Sequence, residues 1–222
     1  MKNSGPATIR ENKAATLKVS ILQSTIELIG KKSFDKIHVN QICEVVGISK
    51  VTFFKYFPQK EDILLYYLRV WCFHRCVELS AEHKKGIEGI RYLFEKLSIS
   101  YERNPGMFLG LISYLNRSDM PIRPFPLKRA ERELFYPDIE KISEIDTLSL
   151  DQLFENFLLE AIFAKEITRT SNTKQLVLLL NSILYGTIMT VHLQQVEYPA
   201  RLFKQNVNTL LDALRFGELS YV

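Results

Sequence analysis

The chain has 222 residues, 24% of them charged and 46% hydrophobic, with a formal net charge of only +4. Its three cysteines, Cys43, Cys72 and Cys76, are too few and too scattered for a disulfide framework. No long apolar run opens the chain, so no secretory leader is expected and the reading is cytoplasmic. Positive charge is unevenly spread. Residues 1–60 hold 10 Lys/Arg against 4 Asp/Glu, whereas residues 61–222 hold 19 against 21. Such asymmetry fits a phosphate-binding module attached to a neutral body.

Residues 1–15 are polar, with Gly5, Pro6 and the basic Lys2, Arg10 and Lys13, and read as a flexible basic arm. An amphipathic helix follows. Next comes V-N-Q-I-C-E-V-V-G-I-S-K-V-T-F-F-K-Y-F-P-Q-K, from Val39 to Lys60. Val39, Ile42, Cys43 and Val46 recur at helical spacing and form one apolar face. Gly47 suits the left-handed C-cap that ends this helix. Ser49 is a natural N-cap for a second helix, because its hydroxyl accepts a backbone N–H. In that second helix Phe53 and Phe57 turn inward, leaving Lys50, Val51, Thr52, Lys55 and Tyr56 on the other faces, and Pro58 stops it. This is the layout of a helix-turn-helix, whose second helix enters the DNA major groove. A helical hairpin with solvated lysines is the bland alternative, which the basic segment makes harder to sustain.

The rest reads as helices: 60–82, 87–103 and 106–116, then a loop over 117–126 with three prolines. A pattern over 127–146 breaks at Tyr136-Pro137. Ser149 with Gln152 makes a capping-box start to the next helix, running to about residue 168. A turn at 170–173 precedes a long helix, 174–197, and a last one to about Phe216. Nothing alternates like a half-buried strand, so the fold class is all-α. From Gln175 to Val196 the chain carries no charge and is long enough to span a bilayer. Asn181, Ser182, Thr187, Thr190, His192, Gln194 and Gln195 make that costly, so no membrane partner is expected. A helix apolar nearly all round is better buried within its own domain or against a partner.

The segment from about Leu17 to Leu65 resembles the DNA-binding domain of TetR-type transcriptional regulators. G-I-S-K-V-T-F-F-K-Y-F-P-Q-K-E-D-I, from Gly47 to Ile63, is similar to that family's G-V-S-x-x-T-x-Y-x-x-F-x-x-K-x-x-L. Gly47, Ser49, Thr52, Phe57 and Lys60 match, while Phe54 replaces the usual tyrosine and Ile63 the usual leucine. The first helix fits too, with Ser33 where glycine is usual. The resemblance implies three parts: an arm over 1–15, a three-helix DNA-binding domain over 16–60, and a helical ligand-binding and dimerisation domain over 61–222. It implies that Thr52 and Lys60 bond phosphates and that Lys50, Val51 and Lys55 face base edges. Tyr56 would reach the sugar-phosphate backbone, and Asn40 would lie near the groove edge. Lysine can donate to guanine, and valine can touch a thymine methyl. Phe54 loses the tyrosine's phosphate bond but can still pack on sugar or a thymine methyl. His38 and Val39 stand where a capping threonine or serine is common.

The same resemblance implies a homodimer through 174–197 and 200–216, a double-stranded palindromic operator, and a small-molecule effector that shifts the helix after the recognition helix. The implied function is transcriptional regulation, repression above activation. Candidates for lining an effector cavity are Trp71, Tyr101, Phe108, Tyr114, Phe157, Tyr185 and Met189, with Phe94, Met107 and Phe154, each also readable as plain core. The 117–126 loop is a candidate entrance. No Gly-rich phosphate loop, paired metal histidines or nucleophile elbow occurs, so neither an enzyme nor a cofactor is expected. Cys72 and Cys76, with His74 and His83 nearby, read as buried thiols rather than a metal site. The rival of a different class is a helical ligand-binding or adaptor protein whose motif no longer binds DNA.

Overall fold

The computed structural model describes residues 7–30, 32–117, 125–167 and 172–216. Among these the regular structure is helical, with no strand. The α-helices are α1 (Ile9–Ile29), α2 (Val39–Val46), α3 (Lys50–Tyr56), α4 (Asp62–Glu82), α5 (Gly86–Arg103), α6 (Pro105–Leu115), α7 (Arg129–Phe135), α8 (Leu150–Phe163), α9 (Thr173–Leu193) and α10 (Pro199–Phe216). Short 3-10 turns occupy Phe34–Lys36 and Ile142–Glu144. The expected 60–82 helix starts at Asp62, where the Asp62 carboxylate accepts the Gln59 N–H at 2.8 Å. The chain divides into two compact units, Met1–His74 with Leu109–Thr147, and Arg75–Phe108 with Leu148–Val222. The division falls within α4 and α6, so each of these helices contributes to both.

In the first unit α1 begins with a capping box. Thr8 Oγ1 accepts the Glu11 N–H, and the Glu11 carboxylate accepts the Thr8 N–H at 2.8 Å. These bonds hold the Glu11 carboxyl below its usual range. Residues 9–15 are therefore the first turns of a capped helix, with Arg10 and Lys13 on its exposed side, rather than part of a loose arm. Lys2 lies outside the described residues. α1 packs on α2 and on α7. A buried polar cluster joins α1, α4 and α7. Lys18 Nζ pairs with the Glu131 carboxylate, and the Tyr66 hydroxyl donates to the same carboxylate at 3.4 Å. Lys18 Nζ also lies 4.5 Å from the Tyr66 ring centre and 5.3 Å from that of Phe125. Phe125 stacks on Phe57, ring centres 5.5 Å apart. Gly110 is required by close approach, since a Cβ there would fall 2.8 Å from Phe34 Cβ.

In the second unit α5 packs on α8 and α10, and α9 packs on both of those. Gly89 lets α5 meet α8, because a Cβ would fall 2.3 Å from the Phe157 ring. Phe94 meets Phe154, and Tyr101 meets Phe203, across this core. Asn206 Nδ2 donates to the buried Thr187 Oγ1 at 2.8 Å, which satisfies a hydroxyl inside the apolar stretch of α9. α9 is long and apolar enough to cross a membrane by length and composition alone. Here Leu176, Val177, Leu180, Leu184, Thr187, Ile188 and Val191 line its buried side.

Candidate nucleic-acid interface

Local chemistry fixes the turn between α2 and α3. Gly47 takes φ 74°, the left-handed region. Ile48 N–H then reaches the Cys43 carbonyl at 3.0 Å and Gly47 N–H the Glu44 carbonyl at 3.3 Å. These two bonds satisfy the ends of α2 and reverse the chain. Ser49 Oγ accepts the Thr52 N–H at 3.2 Å and lies 3.0 Å from Thr52 Oγ1. α3 therefore starts at a defined angle. At the other end of α2, His38 N–H donates to Gln41 Oε1 at 2.9 Å, so Gln41 supplies half of the cap that a threonine would have shared.

Burial separates the two sides of α3. Phe53 and Phe57 are fully enclosed, and Phe57 meets Tyr66 edge-on. Enclosing each of these rings stabilises the unit by about 1.5–3 kcal/mol. Outward stand Lys50, Val51, Phe54 and Lys55, with Thr52 and Tyr56 half-buried. Val51 is 82% exposed and Phe54 44%. Phe54 is braced edge-on against Phe53, ring centres 5.3 Å apart. Asn40 is exposed on α2. The buried Cys43 thiol is pushed up by burial, against the pull of the Lys50 charge. It is a neutral core group beneath a cationic surface.

Lys60 is differently employed. Its Nζ donates to the Phe34 carbonyl at 3.2 Å and the Ile37 carbonyl at 3.1 Å, and sits 4.5 Å from the Phe34 ring centre. It pins the start of α4 to the turn that precedes α2. The buried pair of Lys18 and Glu131 was equally invisible in the sequence, since the partners are 113 residues apart.

The effector candidates are divided between the two compact units. Trp71 and Tyr114 are buried in the first unit, and Tyr101, Phe108 and Phe157 in the second. Tyr101 meets Phe108 at 6.1 Å, and burial raises the pKa of its phenol. Phe94 and Phe154 are core partners, and Met107 is fully buried. Tyr185 and Met189, expected in a lining, are instead exposed. Helical phase explains this: Leu184 and Ile188 take the inward positions, leaving Tyr185 and Met189 on the opposite stripe with Leu178 and Leu193. Of the 117–126 loop, residues 118–124 lie outside the described residues, as do 168–171. An open groove of about 790 Å³ runs along α1 and the end of α2, lined by Leu17, Ser20, Val45 and Val46 among others. Cys72 and Cys76 are buried, and Cys76 Sγ accepts the Leu148 N–H at 3.4 Å.

Residues 21–67 match the family model described as bacterial regulatory proteins, tetR family. That span runs from mid-α1 into α4 and contains the whole helix-turn-helix. No curated protein matches the chain by sequence. Among solved structures, the chain resembles the transcriptional regulator FadR from Bacillus subtilis, solved with stearoyl-CoA. The TM-score is 0.60 at 17% identity, over 90% of this chain and 98% of that one. A TetR transcriptional regulator from Rhodococcus sp. RHA1 gives 0.60 at 16% identity, over 92% and 97%. The reduced form of Escherichia coli NemR gives 0.56 at 13% identity, over 89% and 97%. Identities this low establish a shared fold, which extends through the C-terminal helices.

Proposed function

We propose, for a chain whose DNA-binding domain belongs to the tetR family of bacterial regulatory proteins, a ligand-responsive repressor. It binds a palindromic operator as a homodimer and leaves it when a small molecule binds. The observation that carries this reading is the outward face of α3. Two lysines and two apolar side chains stand in solvent there, on a helix whose other side is locked into the core. Lys50 and Lys55 carry the charge for guanine edges or phosphates. Thr52 and Tyr56 flank the backbone, and Asn40 approaches the groove edge from α2. Lys60 spends two of its three hydrogens on carbonyls, and its remaining hydrogen is assigned to a phosphate.

The dimer rests on α9. Leu178 and Leu193 are 66% and 68% exposed, with Tyr185 and Met189 between them. No Asp, Glu, Lys or Arg occurs from Gln175 to Val196. On α8, which packs on α9, Leu159 and the 92% exposed Phe163 also stand in solvent. A second copy covers such a stripe, and a two-fold pair presents two recognition helices at roughly the 34 Å repeat of the major groove. The effector works by its differential affinity for two states, carried by α4, which contributes to both units. The stearoyl-CoA bound to B. subtilis FadR supports a fold that accommodates a small molecule.

The test is selection of operators from randomised duplex by the purified full chain, followed by titration of binding against salt. The reading expects an enriched inverted repeat and steeply salt-dependent binding. No enrichment, with no salt-dependent affinity for any duplex, would overturn it in favour of a helical binding protein.

A further inference from the structure

The recognition reading leaves open what the apolar part of α3 does. Val51 and Phe54 are three residues apart, so they adjoin on the helix surface. Val51 is the more exposed and its β-branched side chain has one strongly preferred helical rotamer. Phe54 is held by its edge contact with Phe53. Both groups are thus presented in fixed positions, and neither can donate or accept a hydrogen bond. Lys50 and Lys55 flank them, so the patch faces an anion-rich partner and not another apolar protein surface.

The major groove presents few apolar features, and the thymine C5-methyl is the one that distinguishes bases there. Side chains three residues apart on one helix face stand about 5–6 Å apart at Cβ, a separation that reaches base pairs stacked ~3.4 Å apart. The two side chains therefore address neighbouring steps. The remaining groups narrow the choice further. α3 carries no carboxylate to accept from a cytosine amine, and Thr52 is already assigned to the sugar-phosphate backbone.

We propose that Val51 and Phe54 contact thymine C5-methyl groups on adjacent base pairs of each half-site, beside positions where Lys50 and Lys55 donate to guanine or phosphate. This rests on α3 being the recognition helix, and it names the chemistry that the helix selects. Phe54 is then a specificity residue in its own right, trading a backbone bond for a methyl contact.

The experiment uses the full chain and the operator obtained by selection. Each thymine of one half-site is replaced singly by uracil, which removes only the methyl group, and affinity is measured for the unaltered protein, Val51→Ala and Phe54→Ala. The unaltered protein should lose about fourfold at each of two adjacent positions, the worth of one buried methyl. Val51→Ala should abolish the thymine preference at one of them and Phe54→Ala at the other. Both side chains are exposed, and unchanged melting temperatures would establish that the variants fold. A selected operator without adjacent thymine-bearing pairs, or one in which uracil equals thymine everywhere, overturns the methyl contacts while leaving a sequence-specific regulator intact. Failure to select any operator overturns both this proposal and the recognition reading beneath it.

Discussion

α3 and α9 both hold apolar side chains in solvent, but with opposite surroundings. On α3 the exposed Val51 and Phe54 lie between Lys50 and Lys55. On α9 the exposed Leu178, Tyr185, Met189 and Leu193 lie in a stretch without formal charge. An apolar group framed by cations suits a polyanion that also offers methyl groups, whereas an uncharged stripe suits only a surface as apolar as itself. The same hydrophobicity therefore implies different partners, and the neighbouring charge distinguishes them.

The largest effect is expected at the buried cluster of α1, α4 and α7, against whose Tyr66 and Phe125 rings Phe57 packs at the end of α3. Lys18→Met strands the buried Glu131 carboxylate and should cost about 3–5 kcal/mol. Lys18→Met combined with Glu131→Gln should recover much of that loss in denaturant melts. A double-variant loss equal to the sum of the Lys18→Met and Glu131→Gln losses would show that the pair is not coupled. Next in size, Leu178→Glu with Leu193→Glu should convert a dimer to a species of the chain mass, 25.8 kDa, by sedimentation. It should also weaken binding to a full inverted repeat at least a hundredfold, since the two half-sites would no longer be linked. An intact dimer would remove α9 from the interface.

The two lysine environments sharpen the contrast within the DNA-binding domain. Lys50→Ala should cost about 1–3 kcal/mol of operator discrimination at one position with little change in melting temperature. Lys60→Ala should do the reverse in part. It loses two bonds from a charged donor, about 2 kcal/mol of stability, and flattens the salt slope by about one unit. Matching effects of the two substitutions on stability would contradict the pinned role of Lys60. The smallest effect is alkaline. Burial, then the charge and hydrogen bond of Glu131, hold the Tyr66 phenol above its ordinary range. In the unfolded chain it ionises near about pH 10. The stability it contributes is thus full below that pH and falls as pH rises further. Tyr66→Phe should show a shallower loss of melting temperature between pH 9 and 11, the range bracketing that pKa.

The helix-turn-helix was legible because its signals are local. Gly47, Ser49, the phase of Phe53 and Phe57, and Pro58 each act within a turn of where they stand. The long C-terminal helices were legible for the same reason, with Ser149 and Gln152 forming the cap expected of them. The carbonyl contacts of Lys60 are not legible in the sequence, because the acceptors lie 23 and 26 residues back, beyond any helical period. The phase of α9 was hidden because nothing charged marks its outer side. Tyr185 and Met189 therefore read as plausible lining, although they stand exposed. The arm was overextended because Thr8 and Glu11 close a capping box that the polar composition of the segment conceals.

The most direct measurement follows the methyl resonances of Val51, Leu178 and Leu193 in the presence of a soluble paramagnetic probe, with and without operator duplex. In the free protein the account predicts strong relaxation of Val51 and protection of both leucines, which a second copy already covers. Adding operator should protect Val51 and leave the leucines unchanged. A Val51 methyl that stays open to the probe in the bound complex would contradict the assignment of α3 to DNA.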